Sequence, residues 1–140
     1  MIRGIFLSVA FVMAAAPAFA AIDDACKQPK APTMPNGRTA AREDIIAAAN
    51  NVKAYVVESD EYQKCLTGVI AGIDQAQAAA EAKARADKKQ IDPKLKAEMA
   101  KSKTEITAKG DANQAEKEKL GASYAAVAAA YRAAHPAPAK

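Results

Sequence analysis

Apolar residues recur at three- and four-residue intervals over the segment from Thr39 to about Ala86. One row along this segment consists of Ile45, Ala49, Val52, Val56, Leu66, Ile70 and Ile73. A second row on the same face consists of Tyr55, Tyr62, Leu66, Val69 and Ile73. Strands alternate apolar and polar residues, and this segment does not. The pattern predicts one long amphipathic helix with Thr39 as its N-cap, and the pair Asp60 and Gln63 leaves open a second cap and a kink.

A second helical region follows a turn signal near residue 92. Asp92 as N-cap and Pro93 at the first helical position are typical of a helix start. The apolar stripe beyond them is narrow and consists of Leu95, Met99 and Ile106, then Leu120, Tyr124, Val127, Ala128 and Tyr131. Between the two parts of this stripe, Gly110 predicts the end of one helix and Asp111 the N-cap of another. We therefore expect an all-α fold, either an elongated antiparallel helical hairpin or a three-helix bundle.

Residues 1–20 have the pattern of a secretory signal peptide. A positive charge at Arg3 precedes an apolar run, and the small-residue ending Ala18-Phe19-Ala20 closes it. A membrane-spanning anchor would need roughly 20 apolar residues, and Pro17 interrupts the run before that length. We expect cleavage after Ala20 and a periplasmic mature protein that does not span the membrane.

Proline dominates the segment that follows. It contains Pro29, Pro32 and Pro35 and ends in Asn36-Gly37, which predicts an extended lead that closes in a turn. The expected division of the chain is a signal peptide at 1–20, the lead at 21–38, a helical domain at 39–134 and a flexible tail at 135–140.

Composition indicates a thin core and narrows the range of partners. Alanine supplies much of the 51% hydrophobic content, and alanine favours helix strongly but buries little surface. All three phenylalanines lie in the signal peptide, so the aromatic residues of the mature chain are four tyrosines. The formal net charge of +4 includes Arg3 and falls to +3 on cleavage. Such a weak charge does not indicate nucleic-acid binding.

The two cysteines are far apart in the sequence. Cys26 lies in the lead, and Cys65 lies within the long helix. Because export would carry both to an oxidising compartment, we expect them to form a disulfide. Two buried free thiols are the alternative. Two thiols and the single histidine, His135, lack the number and spacing of ligands that a metal site needs.

Residues arranged for catalysis are missing from the sequence of the mature chain. It has no HExxH motif, no glycine-rich phosphate loop and no serine-centred nucleophile elbow. Its carboxylates are interleaved with lysines, as on solvated helix faces. We expect no catalytic residue, no cofactor and no enzymatic activity.

Small residues recur every four positions in the second half of the long helix, at Gly68, Gly72, Ala76 and Ala80. Glycine inside a helix costs about 1 kcal/mol relative to alanine, so a compensating close contact is expected. That contact is either the returning helix of the same chain or a second copy of the protein, through self-association at Gly68, Gly72 and Ala76.

Part of the chain resembles a known group of proteins. The features that carry the likeness are Cys26, the lead up to Pro35-Asn36-Gly37, Val52-Lys53-x-Tyr55 and Tyr62-x-x-Cys65-Leu66. They are similar to those of a group of small, uncharacterised exported bacterial helical proteins, and the likeness covers roughly residues 26–66. It implies no particular activity. More loosely, the chain resembles periplasmic holdase chaperones of the Skp type, which are small, basic and built around long helical hairpins.

Two functions are consistent with these features. We favour a non-catalytic periplasmic protein with a structural or protein-interaction role, whose partner would be another envelope protein. The alternative is a holdase-type chaperone or envelope-binding module that contacts anionic lipids or polymers through a basic helical tip. The basic residues of that tip are Lys83, Arg85, Lys88, Lys89, Lys94 and Lys96.

Overall fold

The computed structural model describes residues 25–136, which form two long α-helices and an extended segment before them. Helix α1 spans Arg42–Ala86 and helix α2 spans Pro93–Ala134. No residue from 25 to 136 lies in a strand, so the prediction of an all-α fold is confirmed for this range. The predicted signal peptide and the last four residues of the tail lie outside the described residues.

Helix α2 is a single helix, which corrects the stop predicted at Gly110 and Asp111. Residues on both sides of Gly110 are helical, and the three-helix alternative is not supported. A Cβ placed on Gly110 would lie 3.8 Å from Cδ1 of Leu66, an ordinary packing distance. A helical glycine costs only about 1 kcal/mol. The burial of neighbouring residues of α2 against α1 outweighs that cost.

Helix α1 begins later than predicted and is continuous through Asp60. Thr39 lies in the preceding turn, and Ala41 is the N-cap. The Ala41 backbone N–H donates to Oδ2 of Asp44 at 3.2 Å, which forms half of a capping box because alanine has no side-chain acceptor. Asp60 does not cap a helix. Its Oδ1 accepts a hydrogen bond from Nζ of Lys117 on α2 at 2.7 Å.

The two helices pack in antiparallel directions. Asp60 forms a salt bridge with Lys117 at 2.7 Å, and Asp74 forms one with Lys103 at 2.9 Å. Positions later in α1 therefore meet positions earlier in α2. Residues buried between the helices recur at seven-residue intervals: Ser59, Leu66 and Ile73 on α1, and Met99, Ile106, Asn113 and Leu120 on α2. This spacing is that of a two-helix coiled-coil seam.

The core follows the tyrosine row of α1. Tyr55 and Tyr62 are 2% and 3% exposed, whereas Ile45, Val52 and Val56 are half-buried. In a straight helix, positions seven residues apart shift gradually around the helix axis. When two helices coil around each other, positions that keep the seven-residue spacing continue to face the partner helix. The first part of the other row, from Ile45 to Val56, therefore lies beside the seam, and the two rows share Leu66 and Ile73 within it.

Residues 26–40, here called the strap, add a third layer to the helix pair. The first residues of the strap lie beside the part of α1 that contains Tyr62 and Cys65, and Pro35 lies beside Ala48. The strap therefore runs antiparallel to α1. It ends in a turn, where the Asn36 carbonyl oxygen accepts a hydrogen bond from the Ala40 backbone N–H at 2.8 Å.

Candidate functional site

The strap is attached to α1 at the two cysteines. Their sulfur atoms are at disulfide distance, and their Cα atoms are 5.7 Å apart. Cys26 is 3% exposed and packs in the core with Tyr62 and Leu66, while Cys65 is half-buried. The Ala25 carbonyl oxygen lies 3.5 Å from Sγ of Cys65. Because a disulfide sulfur carries no proton, this is a packing contact and not a hydrogen bond. The structure thus brings the predicted cysteine pair together.

The far end of the strap contacts α2 at Gly37. This glycine is buried. A Cβ in its place would collide with the carbonyl oxygen of Val127 and would lie 3.0 Å from Cβ of Ala130. Only glycine leaves room for this close approach of two backbones. The strap therefore connects the two helices, with a covalent attachment on α1 and a packing contact on α2.

One layer of the helix interface is polar. Ser59 and Asn113 are fully buried, and Nδ2 of Asn113 donates a hydrogen bond to Oγ of Ser59 at 3.3 Å. The hydroxyl of Tyr55 and Oδ1 of Asn113 are buried with no hydrogen-bond partner. Neither Ser59 nor Asn113 is among the residues that the apolar pattern assigns to the core. The signal that could have identified Asn113 is its seven-residue spacing from Ile106 and Leu120.

Burial raises the pKa of the Tyr55 hydroxyl, the neighbouring Ser59 side chain partly offsets this increase, and the Glu116 carboxylate adds to it. The folded state therefore holds this proton more tightly than the unfolded state does. This difference in proton affinity stabilises the folded state, and the full stabilisation is present at pH values below 10.0, the ordinary tyrosine pKa. That stability is lost as the pH rises from 10 through the raised value in the folded protein.

We expect Tyr55→Phe to raise the free energy of unfolding by about 1 kcal/mol, because it keeps the buried ring and removes a hydroxyl that has no partner. Urea unfolding at neutral pH measures this change. The same titration above pH 10 should show a smaller loss of stability in the variant than in the wild type. A destabilised variant would contradict the prediction and would indicate that the hydroxyl has a partner in solution.

The predicted basic residues lie in the last turn of α1, in the segment that joins the two helices and in the first turn of α2. This basic tip is defined as residues 83–96, and its basic members are Lys83, Arg85, Lys88, Lys89, Lys94 and Lys96. All six are exposed. Asp87 and Asp92 are the acidic residues of the segment, so its formal net charge is +4, equal to that of the whole chain. The net positive charge of the protein is thus concentrated at one end of the helix pair.

Few of these charges are neutralised by neighbours. In the part of the chain that the structure describes, Arg85 is the one residue of the six in an ion pair, with Glu81 at 3.6 Å. The Arg85 side chain is nevertheless 79% exposed. Asp92 is engaged as the predicted N-cap of α2, where its Oδ1 accepts from the Lys94 backbone N–H at 2.9 Å. The tip therefore presents positive charge to solvent.

Lys88 has a backbone conformation that usually selects glycine. Its φ is 52°, in the left-handed region. Its N–H donates to the Arg85 carbonyl at 3.0 Å, and the Lys89 N–H donates to the Ala84 carbonyl at 2.8 Å. This pair of bonds is the Schellman motif that ends many helices, with lysine in place of the common glycine. The tip is thus built on a defined backbone turn.

The row of small residues on α1 does not pack against α2. Gly68 and Gly72 are exposed, and a Cβ on either would meet no atom within 4 Å. Ala76 is exposed as well. The expected close packing against the returning helix is therefore wrong, because these residues face away from the seam that contains Leu66 and Ile73. Self-association through this row stays a prediction.

The described residues contain neither a metal-binding cluster nor a membrane-spanning helix. Between residues 25 and 136, no three His, Cys, Asp or Glu side chains lie close enough together to hold a metal ion. No helix in the same range combines the length and the apolar character needed to cross a membrane. The His135 ring stacks on Tyr131 with centroids 4.4 Å apart, and its Nδ1 lies 3.1 Å from the Tyr131 carbonyl oxygen. This histidine therefore lies against the last turn of α2.

Comparison with known proteins provides no family and no fold neighbour. No family model, curated protein or solved structure matches the chain. The resemblance of residues 26–66 to small exported bacterial proteins stays an expectation. The basic tip, the strap and the polar layer are therefore the features of the molecule that bear on its function.

Proposed function

We propose that the mature protein is a non-catalytic, periplasmic helical hairpin with an interaction role, and that its basic tip contacts an anionic surface of the cell envelope. The observation that carries this proposal is the concentration of the chain's net positive charge in residues 83–96. Outside the tip, cross-helix ion pairs such as Asp74 with Lys103 use basic residues to join α1 and α2. Within it, the basic side chains point into solvent.

Electrostatics makes such a tip an effective contact for an anionic surface. Each Lys or Arg close to an anionic bilayer contributes about 1 kcal/mol, and the attraction decays over the Debye length. That length is about 8 Å at physiological ionic strength, so only charges near the surface contribute. Six basic residues at one end of the protein can approach a surface together.

The backbone at Lys88 supports the same proposal. Non-glycine residues are uncommon in the left-handed region, and a left-handed conformation costs them roughly 1–2 kcal/mol. Glycine at residue 88 would form the same helix end without that cost. A cation at this position is therefore not explained by stability, and a binding role for its side chain explains it.

The test is co-sedimentation of the mature protein with vesicles that contain phosphatidylglycerol, compared with vesicles of phosphatidylcholine alone. We expect binding to the anionic vesicles that weakens as salt rises, because salt screens exposed charges. In the double variant Lys88→Glu and Lys89→Glu, loss of two favourable contacts should weaken binding by about thirtyfold or more. Equal binding by wild type and variant, or no binding by either, would contradict the proposal.

Two control variants separate charge at the tip from other effects. Lys53→Glu with Lys64→Glu makes the same change in net charge on exposed positions of α1 away from the tip, and it should leave most of the binding intact. Lys88→Gly should stabilise the fold and still reduce vesicle binding, because it relieves the backbone and removes a cation. If the two charge-reversal pairs weaken binding equally, net charge is responsible and the tip is not a specific surface.

A holdase-type chaperone is the alternative function. No residue from 25 to 136 lies in a strand, so this range offers no counterpart to the strand-rich body of Skp-type chaperones. The assay that distinguishes it is suppression of aggregation of a denatured membrane protein. Suppression that survives the Lys88→Glu and Lys89→Glu changes, together with absence of vesicle binding, would favour the chaperone over the envelope-binding tip.

A further inference from the structure

We infer that the strap is a redox-sensitive latch: reduction of the Cys26–Cys65 disulfide by a dithiol frees the strap while α1 and α2 stay paired. The strap lies apart from the basic tip, so its release does not depend on the proposed function. Three features support its release: the position of the disulfide, the contact at Gly37, and the distribution of the contacts between the two helices.

Besides the peptide bond that continues into α1, the disulfide is the strap's one covalent attachment to the helices, and it lies at the start of the strap. The wall of an open cavity beside it is formed by the first strap residues, Glu58, Glu61, Tyr62 and the two cysteines. Cys65 is half-buried, whereas Cys26 is 3% exposed. A dithiol therefore reaches the bond from the Cys65 side.

The chemistry is ordinary thiol–disulfide exchange. One thiolate of the dithiol attacks Sγ of Cys65, forms a mixed disulfide with it and expels Cys26 as a thiolate, which takes up a proton. The second thiolate of the dithiol then attacks the sulfur of the same dithiol that is bonded to Cys65 in the mixed disulfide. This step expels Cys65 as a thiolate, which is also protonated, and leaves the dithiol oxidised to a cyclic disulfide. Two electrons pass from the dithiol to the two cysteines.

Once the disulfide is reduced, little apolar surface holds the strap in place. Gly37 contributes a backbone contact with Val127 and no side chain. Ala40, at the end of the strap, is buried but small, and the side chains from residue 27 to 39 are half-buried or exposed. Ordering the backbone costs about 1–2 kcal/mol per residue. The strap therefore detaches and uncovers Tyr62.

The helix pair has contacts of its own that do not involve the strap. Leu66, Ile73, Met99 and Ile106 form a core between α1 and α2 on the side toward the basic tip. The salt bridge between Asp74 and Lys103 lies in the same half of the molecule. The paired helices therefore remain after the strap has left, and release is local.

Limited trypsin digestion of the mature protein tests this inference, with dithiothreitol as the dithiol. Lys27, Lys30 and Arg38 are exposed cleavage sites within the strap, and Lys88 and Lys89 in the tip serve as internal reference sites. Reduction should accelerate cleavage at the three strap sites by at least about tenfold, since cleavage follows the population of the open state. Cleavage at the reference sites should change little, and circular dichroism should show that the helices persist.

The double variant Cys26→Ser and Cys65→Ser provides the control. Without reductant it should be digested like the reduced wild type, and reductant should not change its digestion. Unchanged cleavage of the strap after reduction would overturn the inference, because packing alone would then hold the strap. Failure of the native protein to react with dithiothreitol and iodoacetamide, or loss of the helical signal on reduction, would overturn it as well.

Discussion

Replacement of Gly37 by alanine should destabilise the protein by about 1–3 kcal/mol, the usual cost of overpacking, as long as the disulfide holds the strap against α2. The added Cβ would collide with the carbonyl oxygen of Val127 and crowd Cβ of Ala130. Both belong to α2, and a helical carbonyl cannot rotate away without breaking its own hydrogen bond. The change is measured as a shift in the midpoint of urea or thermal unfolding.

Gly68→Ala is the matched control for this substitution. The same methyl group would enter open space at Gly68, and the helix should gain about 1 kcal/mol because alanine is the better helix former. The same substitution of glycine by alanine should therefore lower the free energy of unfolding at Gly37 and raise it at Gly68. Stabilisation by Gly37→Ala would mean that the strap does not contact α2 in solution, and destabilisation by Gly68→Ala would mean that the exposed face of α1 is covered by another chain.

Loss of the Cys26–Cys65 cross-link should have the largest effect, about 4 kcal/mol, because the bridge closes a loop with a sequence separation of 39 and so restricts the unfolded chain. A domain of this size has a total stability on the order of 5–15 kcal/mol, so this is a large share. Thermal unfolding followed by circular dichroism, with and without reductant, measures the drop in midpoint. At low temperature the helical signal should survive, because the contacts between α1 and α2 remain.

The double variant Cys26→Ser and Cys65→Ser should reproduce the reduced midpoint without reductant. Its unfolding should not respond to reductant. A midpoint that is the same for the oxidised wild type, the reduced wild type and the variant would show that the cross-link contributes nothing to stability.

The helical character of the chain could be predicted from its sequence because apolar spacing reports directly on helix geometry. The start of α2 was also accessible, since Asp92 and Pro93 are specific signals. The breaks proposed near Asp60 and at Gly110 were not found. A residue such as glycine or aspartate inside a helix costs up to about 1 kcal/mol, and packing along the interface between two long helices outweighs that cost.

The composition of the interface could not be predicted from one helix at a time. Ser59 and Asn113 are polar residues that are buried because each faces the other across the seam. The pairing of the helices therefore decides whether Ser59 and Asn113 are buried. The sequence of one helix alone does not show which of its faces is paired. For the same reason Gly68 and Gly72 suggested a packing groove, although they lie on the outer face of α1.

The basic tip followed from the sequence more directly. A run of lysines between two helices must lie at the end of the pair, whichever faces the helices use. The conformation of Lys88 did not follow, because lysine gives no signal for the left-handed region. The contact of Gly37 with Val127 was likewise hidden, since it joins segments that are distant along the chain.

We propose that the protein works in an oxidising envelope compartment as a helix pair fastened by its strap. The most direct test is the intact mass, with non-reducing peptide mapping, of the protein recovered from the envelope of its native host. We predict a chain that begins at Ala21, lacks the two thiol hydrogens and yields a peptide in which Cys26 is joined to Cys65. A chain that still begins at Met1, free thiols at both cysteines, or a disulfide between two chains would contradict the account.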